Sequence, residues 1–242
     1  MSQQIKVQRS IDFQGKGNYA PNINGNFDPV KKYVSYDFTE LALDTTNKYT
    51  QYVDTTSTLA LASGGVTLTT AATDTKTCSV ACGGIWWYPT KNCVTEMRFQ
   101  LDVVTTVAIN AGFTDAVSEG SGALPFLISG TTIADTATNG AMFCFDTNQT
   151  TDYWYIVQTK AGTQTGTLLP STCAPVAATD QTIRVAINTS GNATYYYNGM
   201  PVGYIASATT AATPLVPYFG IRNNAGVAHV ATLKYVRCWQ DM

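Results

Sequence analysis

The chain has 242 residues, enough for one large β domain or two smaller domains of another class. Charged residues make up 12%, hydrophobic residues 45%, and the formal net charge is −2. The scarcity of charged, helix-forming residues excludes helix bundles and coiled coils, and the weak net charge excludes nucleic acid and anionic membranes as electrostatic partners. Threonine is the most frequent residue and glycine contributes 19 positions. Because threonine is β-branched, this composition predicts an all-β protein.

Residues 1–32 differ from the rest of the chain. They hold five basic residues against two acidic ones, a local charge of +3, and their Gly, Pro and Asn residues interrupt every regular element. We expect either a disordered tail or an extended arm that binds a partner. The arm hypothesis assigns the contacts to basic residues and apolar anchors: Lys6, Arg9, Ile11, Phe13, Lys16 and Tyr19. The first residues lack the apolar stretch of a secretory signal, so we expect synthesis in a cytosol.

From Tyr33 onward, short strands alternate with turns. Residues 66–69 alternate in polarity after a Gly-Gly turn, and 94–104 form a longer strand candidate. Residues 140–145 and 153–159 flank a polar loop, and a last candidate covers 228–239. Strands at this spacing without a helical period predict a sandwich or barrel, so we expect a single domain over 33–242.

The clearest pattern is a three-stranded meander. Ile183, Val185 and Ile187 share one face with a period of two, and residues 190–192 turn the chain into a return strand over 193–197. Asn198-Gly199 is the favoured dipeptide of a type I′ hairpin turn, which leads into a third strand over 202–205.

This meander also carries a resemblance. Residues 182–203 read TIRVAINTSGNATYYYNGMPVG, which resembles the hairpin of concanavalin A-like (laminin-G-like) jelly rolls. Further stretches resemble the variant of this fold found in virion structural proteins of tailed bacteriophages: 64–70, 99–101, 112–115, 215–223 and 231–239. The match covers roughly residues 35–242 and implies an all-β, concanavalin A-like jelly-roll sandwich behind an extended N-terminal arm.

The resemblance implies a structural role in a virion assembled in the host cytoplasm. We expect a capsid decoration, cement or minor capsid protein that binds the major capsid protein through its arm and sandwich surface, as a homo-oligomer without a cofactor. One alternative is a tail-fibre or receptor-binding module that recognises cell-surface glycan. A third hypothesis is a jelly-roll glycosidase, because some members of this fold family are glucanases.

The residues for catalysis are scarce. His229 is the single histidine, and no Gly-x-Ser-x-Gly elbow is present, so a Ser-His-Asp triad is not expected. Glycoside hydrolysis needs two neighbouring carboxylates, which the related glucanases place on one strand as Glu-x-Asp-x-x-Glu. Here Glu40, Glu96 and Glu119 are scattered, and Asp residues near strands lack such a motif: Asp102, Asp115, Asp146 and Asp152. We therefore expect no enzymatic activity and no catalytic residues.

Two groups of residues could in principle bind a metal ion. Cys78, Cys82 and Cys93 are clustered in the sequence, but their spacing is not that of a zinc site. Buried free thiols are the main expectation, with a disulfide within the cluster as the alternative. Asp146, Asn148 and Asp152 offer oxygen ligands for calcium, yet the same residues are typical of a turn. We therefore predict no metal site.

Three aromatic triplets occur at 86–88, 153–155 and 195–197. On a strand the middle ring points opposite to the outer two, so one side of each triplet is expected in the core. The other side is expected at a subunit interface or, in a lectin, against a sugar ring.

Overall fold

The computed structural model describes residues 31–39, 42–62, 64–83, 86–117 and 120–242. Regular structure in these ranges is β throughout, apart from two 3₁₀ turns at Pro89–Lys91 and Ser171–Cys173. No helix in the described ranges is long and apolar enough to cross a bilayer. The strands are β1 (Lys31–Tyr36), β2 (Tyr49–Val53), β3 (Thr58–Ala62), β4 (Gly65–Thr69), β5 (Thr77–Cys82), β6 (Val94–Leu101), β7 (Val107–Thr114), β8 (Phe126–Ser129), β9 (Thr132–Asp135), β10 (Asn139–Asp146), β11 (Tyr155–Lys160), β12 (Thr163–Leu168), β13 (Gln181–Ile187), β14 (Ala193–Tyr197), β15 (Met200–Ile205), β16 (Val216–Asn223) and β17 (Val230–Asp241).

The strands form two large antiparallel sheets. Sheet A has the order β15-β14-β13-β6-β17-β4-β3, and sheet B has the order β12-β11-β10-β7-β16-β5-β2. The long strand β17 pairs with β6 on one side, and on its other side with β4 and then with β1. Neighbours in both sheets are mostly distant in sequence, as expected for a jelly roll.

The two sheets enclose one large aromatic and aliphatic core. Trp154 lies within it, with edge-on contacts to Phe143 and Phe99 at ring-centroid distances of 5.9 and 6.1 Å. The period-two burial of β13 places Ile183, Val185 and Ile187 in this core, as the sequence predicts. Their outward-facing neighbours therefore lie on the surface of sheet A.

The outer surfaces of the two sheets differ. The hairpin formed by β8 and β9 covers part of sheet B, and Phe126 and Ile128 of β8 pack there against Met142 and Tyr218. A second, smaller apolar cluster results on that side. Sheet A instead has polar and half-exposed side chains on its outer surface, where a ligand can reach them.

The predicted all-β fold and the meander are confirmed. β13, β14 and β15 pair in sequence, and Asn198 and Gly199 have φ values of 48° and 84°, as a type I′ turn requires. The strand predicted over 94–104 ends earlier, at Leu101, because the Asp102 carboxylate accepts the backbone N–H of Val103 and turns the chain. β1 begins at Lys31, so the last two residues of the predicted arm are strand residues.

All six cysteines are buried free thiols, so the alternative of a disulfide within the cluster is wrong. Cys78 and Cys82 lie on β5 in sheet B, whereas Cys93 precedes β6 in sheet A. Burial raises the pKa of Cys78 to about 12. These thiols serve as small apolar side chains in the core.

A candidate binding face on sheet A

A row of charged and aromatic side chains crosses the outer surface of sheet A. Strand pairing places Glu96 of β6 between Arg184 of β13 and Arg237 of β17. Tyr196 of β14 follows next to Arg184. We call these four residues the arginine row. Cross-strand neighbours on one face have Cβ atoms about 5 Å apart, so the row is a continuous strip of surface.

Glu96 lies at the bottom of the arginine row. Only 1% of its surface is exposed, and its Oε1 accepts a hydrogen bond of 3.0 Å from the hydroxyl of Tyr235. Burial raises the pKa of Glu96, although the Tyr235 hydrogen bond and the charges of Arg184 and Arg237 act in the opposite direction. The carboxyl is therefore a buried group beneath the surface.

The two arginines stack on tyrosine rings. The guanidinium carbon of Arg184 lies 3.9 Å from the ring centroid of Tyr196, and that of Arg237 lies 4.2 Å from the ring centroid of Tyr235. Stacking on an aromatic ring fixes the guanidinium plane while its N–H groups stay free to donate hydrogen bonds in that plane. Both arginines are half-exposed. The arrangement holds two cationic donors in defined orientations.

A second charged group borders the row. Asp180 accepts hydrogen bonds from Nε and Nη2 of Arg98, at 3.1 and 2.6 Å, and its other oxygen lies 2.6 Å from Nζ of Lys234. Burial acts to raise the pKa of Asp180, but the hydrogen bonds from Lys234 and Arg98 have the larger effect. The pKa of Asp180 is therefore below its ordinary value. With Arg184, Arg237 and Glu96, these groups give the face four basic side chains against two acidic ones.

An exposed tyrosine extends the face toward the sheet edge. Tyr204 of β15 is 59% exposed and pairs with Thr194 of β14, which points outward beside Tyr196. A tyrosine ring offers an apolar face for stacking and a hydroxyl for hydrogen bonding. The outer surface of sheet A thus combines aromatic rings with cationic donors.

The aromatic triplets alternate as the sequence predicts. Trp87 and Trp154 are buried, while Trp86 is 54% exposed and Tyr88 is also exposed. In the third triplet Tyr195 and Tyr197 are in the core, and Tyr196 joins the candidate face.

Two of the carboxylates considered for catalysis serve as acceptors for backbone N–H groups. Asp115 accepts the backbone N–H groups of Thr138 and Asn139, and Asp102 accepts that of Val103. His229 is buried, with Nε2 3.0 Å from the Thr106 hydroxyl. These groups stabilise turns and strand ends. Glu40 and Glu119 lie outside the described residues.

The loop considered for calcium is organised by Asp146. Its carboxylate is buried and accepts hydrogen bonds from the backbone N–H groups of Ile128 and Asn148 and from the Asn224 side chain, at 2.8–3.0 Å. Asn148 and Asp152 are exposed. Among the described residues no group of three or more His, Cys, Asp or Glu side chains is placed to hold a metal ion. The contacts support the turn interpretation.

The predicted arm contacts lie outside the described residues: Lys6, Arg9, Ile11, Phe13, Lys16 and Tyr19. Of the arm's basic residues, Lys31 and Lys32 are described. Lys31 forms an ion pair of 2.8 Å with Asp241, and Nζ of Lys32 lies 5.0 Å from the ring centroid of Trp87. Both interactions hold β1 against the end of β17 and its neighbouring loop.

The solved structures that this chain resembles include carbohydrate-recognition domains and glucanases. The carbohydrate-recognition domain of Emp47p has a TM-score of 0.62 at 11% identity, covering 90% of this chain and all of that one. The LamAcat structure from Zobellia galactanivorans has a TM-score of 0.60 at 9% identity, covering 86% and 96% of the two chains. The β-glucanase of Bacillus licheniformis has a TM-score of 0.58 at 10% identity, covering 87% and 98%. The fold is a concanavalin A-like jelly roll.

At these identities the likeness concerns the fold alone. No protein-family model matches the chain, and no curated protein matches it in sequence. The concanavalin A-like jelly roll expected from the meander is thus confirmed by three-dimensional comparison. The same fold supports different functions, which depend on the side chains of each binding face.

Sequence reasoning did not find the arginine row. Arg184 is visible in the sequence as an outward residue between Ile183 and Val185. Glu96 and Arg237, however, come from distant parts of the chain, and only strand pairing brings them beside it.

Proposed function

We propose that this protein is a non-catalytic binding protein on the outside of a bacteriophage particle, and that its jelly roll binds carbohydrate through the outer surface of sheet A. The observation that carries the binding proposal is the arginine row, which includes Tyr196, together with the exposed Tyr204 beside it. Aromatic faces and oriented donors are the groups that hold a sugar ring. The carbohydrate-recognition domains among the structural neighbours support the same choice.

A binding role without turnover fits the state of the acidic groups. Some neighbours are glucanases, and hydrolysis of a glycosidic bond needs an acid and a second carboxylate on either side of that bond. Glu96 is too buried to reach a sugar, and Asp180 is occupied by Arg98 and Lys234. We therefore propose that neither group acts on substrate.

Carbohydrate binding can be tested on a glycan array with the intact protein. We expect binding to at least one glycan in the micromolar to millimolar range. Tyr196→Ala and Tyr204→Ala should each weaken that binding several-fold, because each removes an aromatic face. Tyr88→Ala removes an exposed aromatic outside the arginine row and is the matched control. Binding to no glycan, or equal loss in the control, would contradict the proposal.

The absence of turnover has its own test. We expect no release of reducing ends from β-glucans, alginate, peptidoglycan or capsular polysaccharide above a buffer blank. Release of reducing ends that is abolished by Glu96→Gln or Asp180→Asn would show that the jelly roll is a glycosidase. That result would contradict the proposed non-catalytic binding role.

A second candidate function is capsid decoration, with the N-terminal arm as the attachment. The sequence resemblance to virion proteins supports it, as does the pairing of β1 with β17, which makes Lys31 the first described residue of sheet A. We propose the major capsid protein or another virion protein as the partner, with several copies of the chain associating. The triple variant Lys6→Gln, Arg9→Gln, Lys16→Gln should reduce co-sedimentation with tail-less heads, more at low salt than at high salt. Wild-type attachment by this variant would refute an electrostatic arm contact.

A further inference from the structure

We infer that the ligand of the arginine row is an acidic polysaccharide whose sugars carry carboxylates, such as a polyuronate. This inference rests on the proposed carbohydrate binding and adds the chemical class of the ligand. It follows from the state of Arg184 and Arg237, which are half-exposed and for which the described residues supply neither an ion pair nor a hydrogen bond.

The arginines on the outer surface of sheet A differ in their partners. Arg98 forms two hydrogen bonds with Asp180. Arg184 and Arg237 form neither an ion pair nor a hydrogen bond with any described residue, although each is paired across strands with Glu96. Since both side chains are half-exposed, their outer N–H groups can donate to an acceptor outside the protein.

The planar geometry of the two guanidinium groups indicates the shape of that acceptor. A guanidinium that stacks on a tyrosine ring presents its N–H groups in a plane, which matches the two oxygens of a carboxylate. Arg184 and Arg237 are held in this manner by Tyr196 and Tyr235. The ring beside each arginine also offers an apolar surface for the sugar that carries the carboxylate.

The spacing of Arg184 and Arg237 indicates how the charges of the ligand are distributed. Arg184 and Arg237 lie on the strands that flank β6, so two strand spacings, roughly 10 Å, separate their backbones. Glu96 lies between them and opposes a single, highly charged anion that bridges both arginines. On an extended polysaccharide, by contrast, separate carboxylates can each contact one arginine, and none has to lie next to Glu96. This favours a polyuronate over a phosphate or sulfate group.

The experiment compares three ligands by titration calorimetry with the full-length protein. Polygalacturonate carries free carboxylates, fully methyl-esterified polygalacturonate has the same backbone without charge, and heparin is a polyanion rich in sulfate. We expect polygalacturonate to bind at least tenfold more tightly than either of the others. Equal affinity for the ester would overturn the inference while leaving the proposed glycan binding intact. Equal affinity for heparin would show a general polyanion surface and would also overturn it.

Variants then assign the contact to the two arginines. Arg184→Gln and Arg237→Gln should each weaken polygalacturonate binding at least tenfold and leave the thermal midpoint within a few degrees of wild type. Lys91→Gln removes one exposed positive charge outside the row and is the control, with less than a twofold effect expected. Equal loss in all three variants would attribute binding to net charge and refute the arginine contacts. Failure to bind any glycan, acidic or neutral, would refute the proposed function as well.

Discussion

At the scale of single residues, burial and ion pairing have opposite effects on the pKa values of the carboxyl groups on the outer surface of sheet A. Glu96 has arginines on both neighbouring strands, yet its pKa is raised because desolvation outweighs their attraction and the Tyr235 hydrogen bond. Asp180, with direct hydrogen bonds from Lys234 and Arg98, has a lowered pKa. Two carboxylates on one surface thus differ because one has close cationic partners and the other does not.

This difference predicts how stability depends on pH. A carboxyl whose pKa is raised by folding stabilises the native state below its unfolded pKa, and that contribution is lost as the pH rises through the folded value. Glu96→Gln should therefore increase the free energy of unfolding near pH 8 and have little effect below about pH 4. Urea unfolding at both pH values measures this, with the exposed Asp152→Asn as the control. A variant that is less stable than wild type at pH 8 would show that the arginines dominate.

At the scale of elements, the β14–β15 hairpin depends on two residues with positive φ. Gly199 at 84° occupies a conformation that a β-branched residue adopts only with strain, while Asn198 tolerates its 48° and accepts the backbone N–H of Thr182 through Oδ1. The hairpin positions both Tyr196 and Tyr204, so the turn controls the geometry of the candidate face.

Replacing the turn glycine should therefore weaken the hairpin. We expect Gly199→Val to destabilise the protein by about 1–3 kcal/mol through backbone strain. Ala186→Val places the same side chain at an extended position on β13 and should change stability much less. Thermal denaturation of both variants provides the measurement, and an unchanged midpoint for Gly199→Val would mean that the turn is not of type I′.

At the scale of the whole molecule, the core that joins the two sheets contains a set of thiols. All six cysteines are buried, and burial raises the pKa of Cys78 to about 12. Burial therefore excludes reagents from all six thiols, and at Cys78 the raised pKa also keeps the sulfur protonated.

The burial of the thiols predicts how fast they react with a thiol reagent. With Ellman's reagent at pH 8, the native protein should show almost no rapid reaction, and all six thiols should react once guanidinium unfolds the chain. The slow native rate then reports the opening of the sandwich, and Trp154→Ala should accelerate it by destabilising the core, by about 3–5 kcal/mol. Rapid reaction of one or more native thiols would contradict the buried arrangement.

The sequence by itself determined the features that depend on neighbours along the chain. Threonine-rich composition, period-two alternation over 183–187 and the Asn198-Gly199 turn predicted an all-β meander, because side-chain alternation and turn chemistry act within a few residues. Only the tertiary structure decided that Arg184, Glu96 and Arg237 lie in one row. That row depends on the register between strands far apart in sequence, which is set by the packing of the whole core and by the bulge between Leu233 and Tyr235 on β17. The tertiary structure also decided which sheet is covered among the described residues: the β8–β9 hairpin packs over sheet B, whereas Arg184, Tyr196 and Arg237 stay half-exposed on sheet A.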